Sequence, residues 1–198
     1  MAAGSGARFG GQKQFEELEG RRVVDWAVAA SRSVADGVVL VVPADHLDDA
    51  TFATDVVVGG GTTRSASVRR GLDAVPPEAH IVIVHDAARP FAAPALFEAV
   101  VAAVRDGADG AVPGVPLADT IKRVADGRVV ATLDRSELVA VQTPQAFAAP
   151  ALRRAHAAGG EATDDAALVE AAGGVVAVVP GDPANTKITL RADLGRPA

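Results

Sequence analysis

The sequence contains no cysteine and no tyrosine, and its 198 residues include one tryptophan and one methionine. Without cysteine the chain can form neither a disulfide bridge nor a cysteine-ligated zinc site. This composition fits the reducing cytoplasm, where we expect the protein to act. Aromatic residues make up only 4% of the chain, whereas apolar residues make up 49%. The core must therefore be built mainly from valine, alanine and leucine.

Long apolar runs and an excess of positive charge are also lacking. No apolar run approaches the roughly 20 residues that span a membrane, and the first residues lack the basic and apolar regions of a secretory signal. The 19 lysines and arginines are outnumbered by 25 acidic residues, which gives a net charge of -6. We therefore expect neither a membrane nor a nucleic acid as a partner. The length fits a single domain, residues 1–198.

Helical and extended patterns alternate along most of the chain. Continuous apolar runs predict buried parallel strands, and apolar residues at helical spacing predict helices between them. The strands lie near residues 38–42, 56–58, 81–84, 110–115 and 175–179, with a short one at 187–190, and the helices lie near 23–34, 65–74, 94–104, 149–157 and 164–172. This order predicts a doubly wound α/β fold with a mostly parallel, Rossmann-like sheet.

The segment 120–132 has a different residue pattern from the rest of the chain. Two alternating segments flank Asp126-Gly127, a dipeptide typical of a tight hairpin turn. We therefore expect a β-hairpin arm that projects from the sheet.

The N-terminal loop is the first candidate for a binding site. Glycines at positions 4, 6, 10 and 11 let the backbone approach a ligand closely, and successive backbone N–H groups in such a turn bind anions. Arg8 and Lys13 add two positive charges, so the loop suits a polyphosphate. Three other interpretations stay open here: a dinucleotide fingerprint, although Phe9 stands where a glycine is needed; a Walker loop, although Gln14 follows the lysine; and a flexible terminus.

Further polar or glycine-rich positions follow predicted strands. Asp86 comes directly after the strand at 81–84, where a carboxylate can reach a ligand or a metal ion, or cap the next segment. The glycines at 59–61 precede a helix and can receive a base or a phosphate, or act as an ordinary connection. Lys187 lies between a polar loop and an apolar segment. The four histidines share no metal-ligand spacing, which argues against a metal hydrolase.

Six segments distributed over nearly the whole chain form a common pattern. They are Ala2-Ala3-Gly4-Ser5-Gly6-Ala7-Arg8 with Lys13, His85-Asp86-Ala87-Ala88-Arg89-Pro90, Asp119-Thr120-Ile121-Lys122-Arg123, Thr143-Pro144-Gln145, Thr163-Asp164-Asp165 and Asn185-Thr186-Lys187-Ile188-Thr189. Together these segments resemble the 2-C-methyl-D-erythritol 4-phosphate cytidylyltransferase family. The opening loop is shared with many sugar nucleotidyltransferases, whereas the blocks at 85–90, 119–123 and 143–145 are highly specific. The resemblance implies a nucleotidyltransferase-type fold.

The resemblance also implies a reaction. CTP and 2-C-methyl-D-erythritol 4-phosphate would give 4-diphosphocytidyl-2-C-methyl-D-erythritol and pyrophosphate, a step of non-mevalonate isoprenoid biosynthesis. The substrate phosphate attacks the α-phosphorus of CTP in line, so the protein mainly positions the reactants and stabilises charge. The cofactor implied is Mg2+ or another divalent cation, held mainly by the triphosphate, with Asp86 as the one protein ligand suggested.

The resemblance assigns roles to residues of this sequence. The catalytic residues would be Arg8, Lys13, Arg135 and Lys187. The nucleotide pocket would be formed by Ala2, Ala3, Gly4, Gly6, Gly61, Thr62, Ser67, Asp86 and Ala87. The polyol phosphate would be bound by Asp86, Arg89, Thr120, Arg135, Thr163 and Lys187. In the family the arm, at about 116–142 here, reaches across a homodimer, so Arg135 would complete the neighbour's site.

The sequence departs from the family pattern at three places: position 62, the start, and the tail, which stops soon after Leu194 without room for a full closing helix. Thr62 stands where we expect an acidic residue. The family has a central apolar strand before the glycine loop, whereas this sequence begins at the loop, and we expect the true start to lie upstream of Met1. Two alternatives stay open: a ribitol 5-phosphate cytidylyltransferase with the same fold, and a non-catalytic nucleotide-binding protein. The glycine spacing argues against a dinucleotide-dependent oxidoreductase.

Overall fold

Helices and strands alternate through residues 1–195, the part of the chain that the computed structural model describes. The expected domain boundary at residue 198 lies outside these residues. The helices are α1 (Val23–Arg32), α2 (Arg64–Asp73), α3 (Pro94–Arg105), α4 (Ala149–Ala157) and α5 (Asp165–Ala171). The strands are β1 (Glu17–Leu18), β2 (Arg21–Arg22), β3 (Val39–Val42), β4 (Val56–Gly59), β5 (Ile81–Val84), β6 (Gly110–Pro116), β7 (Lys122–Ala125), β8 (Arg128–Thr132), β9 (Val139–Val141), β10 (Gln145–Ala148) and β11 (Val176–Pro180).

The main sheet is mixed, which corrects the prediction of a mostly parallel sheet. Its strand order is β11-β6-β10-β5, with β9 paired to β6. β11 runs parallel to β6, but β10 is antiparallel to both of its neighbours, and β9 is antiparallel to β6. The physical reason is that β10 returns from the arm directly between β5 and β6, without the helical crossover that a parallel neighbour requires. A separate parallel pair is formed by β3 and β4.

The helices form where the sequence predicts them because each has an apolar face and a suitable first turn. Pro94 occupies the first turn of α3, where its missing N–H costs nothing. The Thr63 and Asp164 side chains cap α2 and α5 by accepting from backbone N–H groups three residues later. The apolar face of α3 includes Phe97 and Val100, both fully buried. These faces position the loops at the ends of the strands.

The predicted hairpin is present between β7 and β8. The two strands pair antiparallel around Asp126 and Gly127, which both have positive φ, as a tight turn of this kind requires. Every residue of β7 is exposed, and Val129 and Val130 of β8 are exposed apolar side chains. Within residues 1–195 the hairpin forms a separate two-stranded sheet.

An apolar cavity of about 750 Å³ lies between β3 and β5. Within the described residues these two strands do not pair with each other, and side chains of α1 and α3 close the cavity. Only its end is bridged by backbone: the Met1 nitrogen donates to His85 O at 2.6 Å, Ala2 N donates to Val41 O at 2.7 Å, and Ala87 N donates to Met1 O at 3.0 Å. The main-chain groups deeper in the cavity thus face an apolar space.

The prediction of a strand at 187–190 is wrong. The structure has an irregular segment there, which is hydrogen-bonded through Ile188 N to Ala88 O at 2.8 Å. Ile188 is buried, but Leu190 is 53% exposed. The segment therefore buries one apolar side chain and does not present the apolar face that a strand of the sheet would have. Within residues 1–195, no helix has the length and apolar character needed to cross a bilayer.

Candidate active site

The N-terminal glycine loop closes on the carbonyl of Gly6. The backbone N–H groups of Phe9, Gly10 and Gly11 donate to Gly6 O at 2.8–3.4 Å, and Gly6 itself has φ of +64°. A Cβ on Gly6 would lie 1.8 Å from Gly11 O, so only glycine fits. Among residues 1–195, the backbone N–H groups of residues 3–8 have no protein acceptor. Unpaired N–H groups in a tight loop are the arrangement that the predicted anion-binding surface requires.

The buried amide of Gln14 holds this loop in place. Its Nε2 donates to Ala2 O at 2.7 Å and to Gly4 O at 3.1 Å. The sequence analysis used Gln14 only to reject a Walker loop. Its position one residue after Lys13, at the end of the glycine loop, is the only sequence signal of this supporting role.

The loop before α2 approaches the first loop closely. A Cβ on Gly60 would lie 2.2 Å from the Cβ of Ala3, so glycine is required for the two loops to meet. Ser67 Oγ accepts from Gly61 N at 3.0 Å and donates to Thr63 O at 2.8 Å, which fixes the loop on the first turns of α2. Thr62 is exposed at the rim.

Asp86 lies directly after β5 and forms an ion pair with Lys187. The Lys187 Nζ donates to Asp86 Oδ2 at 2.5 Å. Burial raises the pKa of Asp86, but Lys187 outweighs it through its charge and its hydrogen bond, with help from Arg64, and the pKa falls to about 2. Asp86 is therefore ionised at physiological pH.

A neutral histidine fixes the backbone beside Asp86. Burial lowers the pKa of His85 to about 3. Its Nε2 lies 3.1 Å from Arg89 O, which can only accept, so Nε2 carries the proton and Nδ1 accepts from Thr143 Oγ1 at 3.1 Å. The same Thr143 oxygen accepts from Asp86 N at 3.0 Å. The contacts of His85 therefore explain its presence by a structural role, which is to hold the backbone around Asp86.

Lys13 reaches from the glycine loop to the segment that carries Lys187. Its Nζ donates to Ile188 O at 2.5 Å. Burial, followed by the charges of Lys187 and Arg8, lowers the pKa of Lys13. The contributions of Lys187 and Arg8 show that the three cations lie close enough to repel one another, an arrangement that a polyphosphate neutralises.

These loops enclose a cleft of about 610 Å³. Among residues 1–195, its charged side chains are four cations, Arg8, Lys13, Arg64 and Lys187, and one carboxylate, Asp86. The protein is acidic as a whole, so this is a local basic pocket. The structure brings together twelve of the sequence-predicted site residues here: Ala2, Ala3, Gly4, Gly6, Arg8, Lys13, Gly61, Thr62, Ser67, Asp86, Ala87 and Lys187.

Four predicted residues do not line this cleft. Arg89 is turned toward the loop before Lys187, where its Nη1 donates to Asn185 O at 2.6 Å. Thr120 and Thr163 are exposed in loops. Arg135 is exposed in the arm region and donates to Ala118 O within the same region. The cleft therefore does not contain the complete predicted set.

Arg64 is a lining residue that the sequence analysis missed. Its Nη2 lies 2.7 Å from Oδ2 of the fully buried Asp165, whose Oδ1 lies 2.9 Å from His156 Nε2. The aspartate thereby anchors the arginine beside Asp86. The Thr163-Asp164-Asp165 block contained this carboxylate, but the spacing of about a hundred residues gave no signal of the pairing.

The donor set of the cleft fits a metal ion held mainly by its substrate. Among residues 1–195, no group of three or more histidine and acidic side chains is placed to hold an ion. The single carboxylate of Asp86 suits Mg2+, which is commonly bound through one or two carboxylates together with substrate phosphates.

A comparison with family models decides the family. The model for 2-C-methyl-D-erythritol 4-phosphate cytidylyltransferase, IspD, matches residues 1–197. The chain belongs to this family. The fold and the cationic glycine-loop cleft described above are therefore those of a member of this family.

Three relatives illustrate the range of the family. The chain is 46% identical to the 2-C-methyl-D-erythritol 4-phosphate cytidylyltransferase of Streptomyces coelicolor, over 98% of this chain and 80% of that protein. It is 44% identical to the bifunctional enzyme IspD/IspF of Nitratidesulfovibrio vulgaris, of which it covers only 55%. The crystal structure of 4-diphosphocytidyl-2C-methyl-D-erythritol synthase from Anaerococcus prevotii has a TM-score of 0.84 at 31% identity, covering 98% of this chain and 91% of that one. The chain thus spans about half the length of the bifunctional relatives.

Proposed function

We propose that this protein transfers CMP from CTP to 2-C-methyl-D-erythritol 4-phosphate and releases pyrophosphate. The observation that carries the proposal is the cleft in which Arg8, Lys13 and Lys187 surround Asp86 beside unpaired amides of the glycine loop. This site suits a triphosphate next to a second phosphate. Membership of the cytidylyltransferase family supports CTP and the methylerythritol phosphate as the substrates.

The nucleotide is bound between the two glycine-containing loops. Ala2, Ala3, Gly4 and Gly6 provide backbone contacts along it, while Gly61, Thr62 and Ser67 contact cytosine and ribose, and Asp86 and Ala87 contact the ribose. These assignments are supported by the common cleft that these residues line. The exposed Thr62 hydroxyl is the contact to the base that differs from the family pattern.

The reaction depends on charge stabilisation. The phosphate oxygen of the polyol attacks the α-phosphorus of CTP, and the bond to the bridging oxygen of pyrophosphate breaks. Arg8 and Lys13 stabilise the negative charge that grows on the α- and β-phosphoryl oxygens. Lys187 and Arg135 hold the attacking phosphate, and Arg89, Thr120, Thr163 and Asp86 bind the polyol. No covalent enzyme intermediate is needed.

A divalent cation, Mg2+, supplies additional neutralisation of the triphosphate charge when it is bound. Asp86 is the residue of this chain that would hold it. The lowered pKa of Asp86 keeps its carboxylate ionised for this purpose.

The arm at about 116–142 joins two copies of the chain in a cytoplasmic homodimer. Two features support this: the exposed valines of β7 and β8, and the distance of Arg135 from the cleft of its own protomer. In the dimer, Arg135 of one copy completes the site of the other.

The cavity between β3 and β5 suits one further strand. The apolar lining and the backbone bridges at Met1 and Ala2 support a parallel strand that runs into Met1. An apolar five-residue segment fused ahead of Met1 should slow amide exchange in β3 and β5, whereas a polar segment of equal length should not. Equal exchange in the two fusions would contradict this strand.

Pyrophosphate release tests the proposed activity. With CTP and Mg2+, release should depend on added 2-C-methyl-D-erythritol 4-phosphate and should stop when the metal is chelated. Binding of CTP without release would instead favour a non-catalytic nucleotide-binding protein.

A further inference from the structure

Gln142 occupies the junction between the arm region and the body of the protein. It directly follows β9, which pairs with β6, and its backbone N donates to Pro113 O at 2.8 Å. Its side chain is only 7% exposed. It turns away from the arm and toward the loop 182–185, about forty residues later in the chain.

The amide of Gln142 makes four hydrogen bonds to two residues of that loop. Its Nε2 donates to Asp182 O at 2.8 Å and to Asn185 O at 3.3 Å. Its Oε1 accepts from Asp182 N at 3.1 Å and from Asn185 Nδ2 at 3.3 Å. A side chain that both donates and accepts at one end is required, and neither a carboxylate nor an apolar group can replace it.

The loop that Gln142 holds leads directly into the catalytic segment. Asn185, which is fully buried, also donates from Nδ2 to Thr143 O at 2.9 Å and accepts from Arg89 at its carbonyl. Two residues further along the chain, Lys187 pairs with Asp86. The Lys187 side chain is 41% exposed, so its position depends on the backbone that precedes it.

We propose that Gln142 is a positioning residue that places Lys187 beside Asp86. The inference rests on the proposed function and deepens it. The pairing of β9 with β6 and the backbone hydrogen bond to Pro113 fix Gln142 on the main sheet. From there its amide holds the loop 182–185, which presents Lys187 to Asp86 and the incoming phosphate. When the amide of Gln142 is removed, the loop 182–185 and Lys187 are no longer held in this position.

The test is a double-mutant cycle between Gln142 and Lys187. Gln142→Met keeps the volume and removes the hydrogen bonds, and Gln142→Glu keeps the acceptor and removes the donor. Each should lower kcat/KM for the polyol phosphate by about tenfold or more while KM for CTP changes little, because each hydrogen bond contributes a modest net amount. In the Lys187→Ala background the same changes should have almost no further effect, because Gln142 acts through Lys187.

The control is Gln145→Met. Gln145 is also buried, and its Nε2 donates to Asp164 Oδ2 at 3.0 Å rather than to the loop 182–185. Its effect should add to that of Lys187→Ala. If the Gln142 variants are also additive with Lys187→Ala, Gln142 has only a general structural role and the inference is wrong.

A measurement without substrate separates this inference from the proposed function. Hydrogen exchange of peptides covering 182–190 should be faster in Gln142→Met and Gln142→Glu than in the wild type and in Gln145→Met. Unchanged exchange in that segment overturns the inference even if the wild type is fully active. Absence of pyrophosphate release in the wild type would contradict the proposed function. The exchange experiment would still decide whether Gln142 holds the loop 182–185 in place.

Discussion

Lys187 Nζ and Asp86 Oδ2 lie 2.5 Å apart although their positions differ by 101 residues along the chain. The carboxylate follows β5, an edge strand of the main sheet, and the cation comes from an irregular segment near the end of the described chain. The pair joins the nucleotide side of the cleft to the side proposed for the polyol phosphate. Its charge state is therefore a sensitive probe of the whole site.

Lys187→Ala should raise the pKa of Asp86. In the wild type Asp86 titrates at about 2, below its ordinary 3.8, because Lys187 overcomes the effect of burial. The ionised pair stabilises the folded state above pH 3.8, and this contribution is lost as the pH falls toward 2. Without Lys187, burial dominates and the carboxyl titrates higher. An NMR titration of the Asp86 carboxyl measures this, and an unchanged pKa would contradict the account.

Lys13→Ala should lower kcat by roughly 10²–10³-fold, the range found when one group that stabilises transition-state charge is removed. KM for CTP should change only modestly, because the contact strengthens in the transition state. Steady-state pyrophosphate release measures both. Arg154→Ala, which removes an exposed cation from α4, is the control for net charge. Equal turnover in the Lys13 variant would remove this lysine from the mechanism.

Gly6→Ala should weaken CTP binding, whereas Gly11→Ala should not do so to the same extent. A Cβ on Gly6 would lie 1.8 Å from Gly11 O, at a position with positive φ, but a Cβ on Gly11 meets nothing within 4 Å. Forcing such a strained position costs about 1–3 kcal/mol, so we expect about tenfold weaker binding. Calorimetric titration with CTP compares the two variants. Similar affinities would show that the tight turn at Gly6 is not needed.

Arg135→Ala should raise KM for the polyol phosphate and leave KM for CTP nearly unchanged. The arginine lies in the arm region, away from the cleft of its own protomer. If the arm completes the neighbouring site, mixing Arg135→Ala with Lys13→Ala should restore part of the activity, because mixed dimers contain one intact site. The unmixed variants are the controls. No restoration under conditions in which subunits exchange would count against a shared site.

The sequence predicts the elements that local patterns define. The apolar runs at 81–84 and 110–115 are strands in the structure, and the helix predicted at 149–157 has the same bounds as α4. The short strand β10, by contrast, carries no alternation of its own, and it becomes a strand because β5 and β6 pair with it on both sides. At 187–190, Ile188 suggested a strand, but its burial comes from a loop contact.

The sequence also predicts most of the cleft lining, but not what holds it. Arg8, Lys13, Asp86 and Lys187 meet in one cleft as the motifs indicate. The partners of buried polar side chains depend on tertiary contacts between distant segments, and no local spacing reveals them. Gln142 is an example, since its hydrogen bonds reach residues about forty positions away.

The most direct test is a competition between two acceptors in one reaction. The protein is incubated with CTP, Mg2+ and equal concentrations of 2-C-methyl-D-erythritol 4-phosphate and ribitol 5-phosphate, and the cytidylyl product is identified by ³¹P NMR together with pyrophosphate. The account predicts 4-diphosphocytidyl-2-C-methyl-D-erythritol and pyrophosphate in equal amounts. Formation of the ribitol product alone, or no product from either acceptor, would contradict it.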